Sequence, residues 1–257
     1  ELGKLEEAEA SYKNAIKIKP DSTEVYTNLG ITLRALGRWD EAEASYTQAI
    51  KIKPDLAEAH YSLGNLLQEL DRLKESESSY TQAITYKSDY AEAHNNLGNT
   101  LQKMGRLEEA EANYLQAIAL QPDYAEAHSN LSITLQKLGR LEEAEVRCRQ
   151  AIALKADLAG AHSALCKILY VTGDIDSSLS SAKIANSIDP KSKYFRLLLN
   201  VLKSRKAREN TKGSAENIAS SKILLLEMPV KKELTAHLYG TKLLKLDKER
   251  DPSFGGT

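Results

Sequence analysis

A 34-residue period constrains this chain more than any other feature. "AEAHNNLG" at 91–98 has near-copies at 57–64, 125–132 and 159–166, and a looser one at 23–30. A unit this short cannot bury an apolar face alone, whereas stacked neighbours bury a continuous one. Within 91–124, His94, Leu97, Gly98 and Leu101 fall at i, i+3, i+4 and i+7, one face of a helix. Gly105 breaks that helix. Leu107, Ala110, Tyr114, Ala117 and Ile118 line one face of a second, and Pro122 ends it. Glu108, Glu109 and Glu111 stand in its first turns, where the helix dipole favours negative charge. The spacing predicts antiparallel helix pairs at 23–56, 57–90, 91–124, 125–158 and 159–192. A half unit, 1–22, precedes them, with residues 1–3 expected to be the end of its first helix.

Numbered within each unit, several positions recur in phase. Position 8 is Gly30, Gly64 and Gly98; position 20 is Ala8, Ala42, Ala110 and Ala144; position 24 is Tyr12, Tyr46, Tyr80 and Tyr114. Position 27 is Ala15, Ala49, Ala83, Ala117 and Ala151, and position 32 is Pro20, Pro54, Pro122 and Pro190. This set resembles the tetratricopeptide repeat, over residues 1 to about 192 and most strongly over 23–158. The resemblance implies an all-α, right-handed superhelical solenoid of antiparallel helix pairs, a TPR array. Small residues would let the helices approach, and the tyrosine would wedge between neighbouring pairs. The pattern decays toward the C-terminus: Cys148 replaces the tyrosine of 125–158, and Cys166, Ser178 and Ala182 replace Gly, Ala and Tyr in 159–192. A helix at 193–203 is expected to cap the array. Residues 204–221 read as a polar linker, and 222–257 as the start of an incomplete second domain.

Charge is divided unevenly. The net charge is −1, yet from Lys191 onward 15 Lys and Arg stand against 7 Asp and Glu. Lys203, Arg205, Lys206 and Arg208 form a basic cluster, but no aromatic residue interleaves it, so nucleic acid is not the expected partner. No stretch approaches the roughly 20 apolar residues of a membrane span, and no membrane partner is expected. Cys148 and Cys166 suit a reducing, cytoplasmic compartment, either as small buried hydrophobes or as neighbouring thiols on packed helices. The chain opens in mid-pattern at Glu1 and reads as a fragment.

Chemistry is sparse. His60, His94, His128 and His162 recur at position 4, on the packed face of the first helix. Repeats stacked about 8–10 Å apart cannot share one zinc ion, which needs each nitrogen within about 2.1 Å, so the row reads as ring fillers rather than a metal site. No phosphate loop or nucleophile elbow is present. The expectation is a protein that is not an enzyme and takes no cofactor.

The first helix of each pair should line the inner groove of the array. There position 6 carries Asn28, Asn96 and Asn130, position 5 Asn95, position 9 Asn65 and Asn99, and position 12 Gln68, Gln102 and Gln136. Asn is a poor helix former, but its amide both donates and accepts, which suits the backbone of an extended peptide. The competing reading is a set of solvated positions inherited by duplication. The position-6 asparagines resemble the inner-groove ladder of O-linked N-acetylglucosamine transferases, which implies peptide-backbone binding by Asn28, Asn96 and Asn130. Position 2 is Glu24, Glu58, Glu92 and Glu126, which would repel the C-terminal carboxylate that some related repeats clamp. The expected function is a non-catalytic protein-interaction scaffold for an extended peptide. The alternative is the substrate-recognition array of a larger enzyme, such as a glycosyltransferase. Because Ala is the better helix former, replacing Asn96 and Asn130 by Ala is expected to leave stability unchanged or slightly raised.

Overall fold

The computed structural model describes residues 2–211, and within them it has twelve α-helices and no strand. They are α1 (Leu2–Ile18), α2 (Thr23–Ala35), α3 (Trp39–Ile52), α4 (Ala57–Glu69), α5 (Leu73–Tyr86), α6 (Ala91–Lys103), α7 (Leu107–Leu120), α8 (Ala125–Lys137), α9 (Leu141–Leu154), α10 (Ala159–Thr172), α11 (Ile175–Ile188) and α12 (Lys193–Thr211). The chain divides into two compact units, Glu1–Thr134 and Leu135–Thr257, with the boundary inside α8. The helices fall where the period places them, and the fold is an all-α repeat array.

Two boundaries differ from expectation. α1 is one continuous helix from Leu2, so Leu2 and Gly3 lie in its first turn and not at the end of an earlier helix. No helix precedes it among the described residues, and nothing there requires Gly3 to reverse the chain. α12 runs to Thr211, past the residue where a linker was expected. Lys203, Arg205, Lys206 and Ala207 are good helix formers, and Lys206 pairs with Asp176 of α11. The remainder of the expected linker and the segment 222–257 lie outside the described residues.

The turn inside each pair has a specific chemistry. After α6 the chain reverses through Gly105 at φ 82°, with Gly105 N donating to Gln102 O and Arg106 N to Leu101 O at 3.2 and 3.0 Å. These two bonds satisfy the last carbonyls of the helix, and the left-handed residue between them is ordinarily glycine. In the 57–90 unit Asp71 takes that place at φ 59°, with the same bonds from Asp71 N and Arg72 N. A side chain there is strained. Asp71→Gly should therefore raise stability by roughly 0.5–1 kcal/mol despite the added freedom of the unfolded chain. A urea midpoint that falls would show that the aspartate is worth more than the strain it carries.

The arginine following each turn staples the second helices together. Arg38, Arg72 and Arg106 each fork onto the glutamate three residues on, Glu41, Glu75 and Glu109, and each also reaches one repeat back, to Glu9, Glu43 and Glu77, at 2.6 Å. Hydrogen bonds from the guanidinium hold the Glu41, Glu75 and Glu109 carboxyls below their usual range. The pairs within each repeat are exposed and contribute little to stability, whereas those reaching one repeat back are part-buried and fix repeat register. Arg140 likewise forks onto Glu143, whereas in the 159–192 repeat Asp174 stands at the equivalent position and caps α11, accepting from Ser177 N at 3.0 Å.

The core follows from one contact inside each pair. The rings of Tyr46, Tyr80 and Tyr114 are fully buried and lie against Gly30, Gly64 and Gly98 of their own pair. The expected wedge between neighbouring pairs is thus, first of all, a wedge within the pair. A Cβ on Gly98 would stand 2.7 Å from Tyr114 Cε1. Around Tyr46, Leu29, Leu33, Ala42 and Leu66 complete a cluster shared by α2, α3 and α4. In the second unit Cys166, Tyr170, Leu179 and Ala182 pack with Leu198, Leu199 and Leu202 of α12, which covers the last pair.

Candidate functional site

The histidine row has a backbone role. His60, His128 and His162 Nε2 lie 2.8, 3.0 and 2.9 Å from the carbonyls of Pro54, Pro122 and Ala156, and His94 Nε2 lies 3.3 Å from that of Ser88. A carbonyl only accepts, so Nε2 carries the proton. Each ring ties the start of its helix to the loop six residues before it. No group of three His, Cys, Asp or Glu among the described residues could hold a metal ion.

The two cysteines are not paired with each other. Cys148 Sγ donates to Ala161 O at 3.1 Å, whereas Cys166 Sγ lies 3.5 Å from Ser178 Oγ. Burial pushes the Cys166 thiol up to about 11, which leaves it protonated and unreactive at neutral pH.

In the first unit the amide row lies along α2, α4, α6 and the start of α8. Much of it is engaged within the protein. Asn96 Nδ2 donates to Asn65 Oδ1 at 2.9 Å and to the Tyr61 hydroxyl at 3.1 Å. Asn130 Nδ2 donates to Asn95 Oδ1 at 3.0 Å, and Asn95 Nδ2 to Asn96 Oδ1 at 3.1 Å. Gln102 Nε2 donates to Thr134 Oγ1 at 2.7 Å. Position 6 therefore hands its amide hydrogens to the preceding repeat, at positions 5 and 9. Asn95 is buried, whereas Asn28, Asn65, Asn96, Asn99 and Asn130 are half-buried. Asn28 makes no side-chain hydrogen bond among the described residues. Gln136 belongs to the second unit, where its side-chain nitrogen is buried without a partner among the described residues.

Position 9 has a further duty. The Tyr80 hydroxyl donates to Asn65 Oδ1 at 2.7 Å and approaches Gln68 Oε1 at 3.2 Å; the Tyr114 hydroxyl donates to Asn99 Oδ1 at 2.8 Å. In the 23–56 unit position 9 is Ile31, and the Tyr46 hydroxyl is buried without a partner among the described residues. Burial pushes that phenol up to about 12. Ile31→Asn should supply the missing acceptor and stabilise the chain by roughly 0.5–1.5 kcal/mol. Ile31 is 43 % exposed, so little apolar burial is lost. An unchanged thermal midpoint would mean that the new amide stays in solvent.

One aromatic group on this face was not legible as a site. Tyr61 of α4 meets Tyr90 at the N-terminus of α6, with ring centroids 4.8 Å apart, and it also meets Tyr80 at 6.0 Å. Tyr61, Tyr90 and Tyr124 are all half-buried. Burial, then Tyr61, then the Glu92 carboxylate raise the phenol of Tyr90 and push that of Tyr124 up to about 12. Lys87 Nζ sits 4.4 Å from the Tyr90 centroid. The available signal was tyrosine recurring at position 34 in two successive units, but it falls between helices, where periodicity is silent.

No helix among the described residues is long and apolar enough to cross a membrane. No curated protein matches the chain. Among solved structures, YrrB, a TPR protein with an unusual peptide-binding site, is 20% identical at a TM-score of 0.60, covering 75% of this chain and 97% of its own. TTC0263, a thermophilic TPR protein of Thermus thermophilus, is 24% identical at a TM-score of 0.58, covering 70% and 98%. Pseudomonas aeruginosa pilF is 21% identical at a TM-score of 0.66, covering 86% and 97%. At these identities the likeness is one of fold. One TPR repeat family model matches residues 1–33, 32–71 and 72–105, and a second tetratricopeptide repeat model matches 89–157. With twelve helices at the same period, the chain belongs to the tetratricopeptide repeat family.

Proposed function

We propose that the protein is a non-catalytic interaction scaffold that holds an extended peptide against the face of α2, α4, α6 and α8. The observation that carries this reading is the row of half-buried amides, Asn28, Asn65, Asn96, Asn99 and Asn130, on one face of successive first helices. Beyond the bonds described above, Asn28, Asn65, Asn99 and Asn130 keep an amide hydrogen and Asn96 a lone pair on Oδ1, and peptide backbone offers acceptors and donors to match. The inter-repeat bonds of Asn96 and Asn130 hold those amides in fixed orientations, which lowers the entropic cost of binding. YrrB, a TPR protein with an unusual peptide-binding site, adds support by analogy. A second reading, the substrate-recognition part of a larger enzyme, rests on the resemblance of Asn28, Asn96 and Asn130 to the transferase ladder and predicts the same peptide contacts.

The test is to select short capped peptides by display on the full chain, then measure the best binder by calorimetry against Asn96→Ala/Asn130→Ala. Loss of two backbone hydrogen bonds at roughly 0.5–1.5 kcal/mol each should weaken binding about 5- to 150-fold. The expectation of unchanged stability gives way, because both side chains bond across repeats. Their removal takes a donor from Asn65 and Asn95, so the double variant should also lose about 1–2 kcal/mol of stability while keeping its helical circular dichroism. An undiminished affinity in a folded double variant would make the row a by-product of duplication.

A further inference from the structure

Resting on that peptide-binding reading, we infer that the bound segment is basic, and that Tyr61, Tyr90 and Tyr124, with Glu58, Glu92 and Glu126, form a subsite for the side chain of an arginine or lysine.

The geometry begins with Asn96, whose amide donates to the Tyr61 hydroxyl and so fixes that ring. Tyr61 then packs on Tyr90 with centroids 4.8 Å apart and planes tilted by 36°. Such a pair presents electron-rich faces to a guest, and a cation within about 6 Å of a ring centroid is drawn to them. Lys87 Nζ already lies 4.4 Å from the centroid of Tyr90, so a guest cation displaces this flexible side chain or meets the rings of Tyr61 and Tyr124. Tyr124 repeats the position of Tyr90 one unit later.

Charge points the same way. Position 2 carries Glu24, Glu58, Glu92 and Glu126 in four successive repeats, and positions 5 and 6 beside it carry no Lys or Arg. Glu58, Glu92 and Glu24 are exposed, and none of these three is tied up in an ion pair among the described residues. Glu92 and Glu58 stand close enough to the Tyr90 hydroxyl to help raise its proton affinity, and Glu92 and Glu126 do the same to Tyr124. Helix dipoles account for an acid in a first turn. They do not account for half-buried tyrosines standing beside those acids. A guanidinium meets both features at once, stacking on a ring while its edge bonds a carboxylate.

The peptides selected on the full chain supply the probe. Arginine or lysine should be enriched at one position. A synthetic binder with that residue changed to glutamine should bind about tenfold more weakly, and one with glutamate more weakly still. Glu58→Gln/Glu92→Gln should erase the difference between the arginine and glutamine peptides, and Tyr90→Leu should reduce it. Glu108→Gln, an exposed acid on α7, should change neither affinity. Rising salt should weaken the arginine peptide and spare the glutamine one. If both peptides bind equally to the unaltered protein, the subsite is overturned and the peptide-binding face stands. If no peptide is selected at all, the face fails and the subsite with it.

Discussion

Tyr114→Ala should cost about 3–5 kcal/mol, the range for removing a large ring from a core that cannot collapse. The ring is fully buried between α6 and α7, its hydroxyl donates to Asn99 at 2.8 Å, and the glycine opposite has no side chain with which to fill the space. Each repeat is held only by its neighbours, so a lesion in the middle of the array uncouples the units on either side. Urea unfolding followed by circular dichroism should show a much lower midpoint, and a broader or split transition. A midpoint within about 1 kcal/mol of the parent would mean that the flanking helices close over the gap and that the tyrosine–glycine contact is not the core of the pair.

Gly98→Cys should cost about 2–3 kcal/mol for the opposite reason. Its Cβ would stand 2.7 Å from Tyr114 Cε1 and 2.9 Å from Cδ1, and a ring buried on all sides cannot swing away. The gain in helix propensity over glycine, less than about 1 kcal/mol, is too small to offset the overlap. The same chain already contains the compensated version. In the 159–192 unit position 8 is Cys166 and position 24 is Ala182, both fully buried in one cluster. Gly98→Cys/Tyr114→Ala should therefore be less destabilised than the sum of the two single variants by more than about 1 kcal/mol. Additive losses, measured under reducing conditions, would show that the two positions do not share one volume.

That volume exchange recasts the decay of the pattern toward the C-terminus. Ser132 and Cys148 occupy positions 8 and 24 of the 125–158 unit, and Cys166 and Ala182 those of the next, against Gly and Tyr in the three before. As position 24 shrinks, position 8 grows. Where position 20 is serine in place of alanine, the hydroxyls of Ser76 and Ser178 bond the position-8 carbonyls of Gly64 and Cys166 at 2.9 and 2.8 Å. The departures from the repeat are thus substitutions the core absorbs.

Periodicity alone was enough to place the helix pairs, because a 3.6-residue stripe, a left-handed glycine and a proline each act within a few residues of chain. It also supplied a geometric argument against one ion shared by the histidines, since equivalent residues in stacked repeats are spaced by a helix-packing distance. It failed where the cause lay across repeats. The forks from Arg38, Arg72 and Arg106 to the preceding repeat span 29 residues, and the Asn96 and Asn130 bonds span 31 to 35, distances over which a sequence pattern carries no directional information. Amides that read as free for a ligand therefore also serve the stack. The aromatic group of Tyr61 and Tyr90 was hidden for a related reason: one ring lies on a helix and the other between helices, and only the packing of one repeat on the next brings them together.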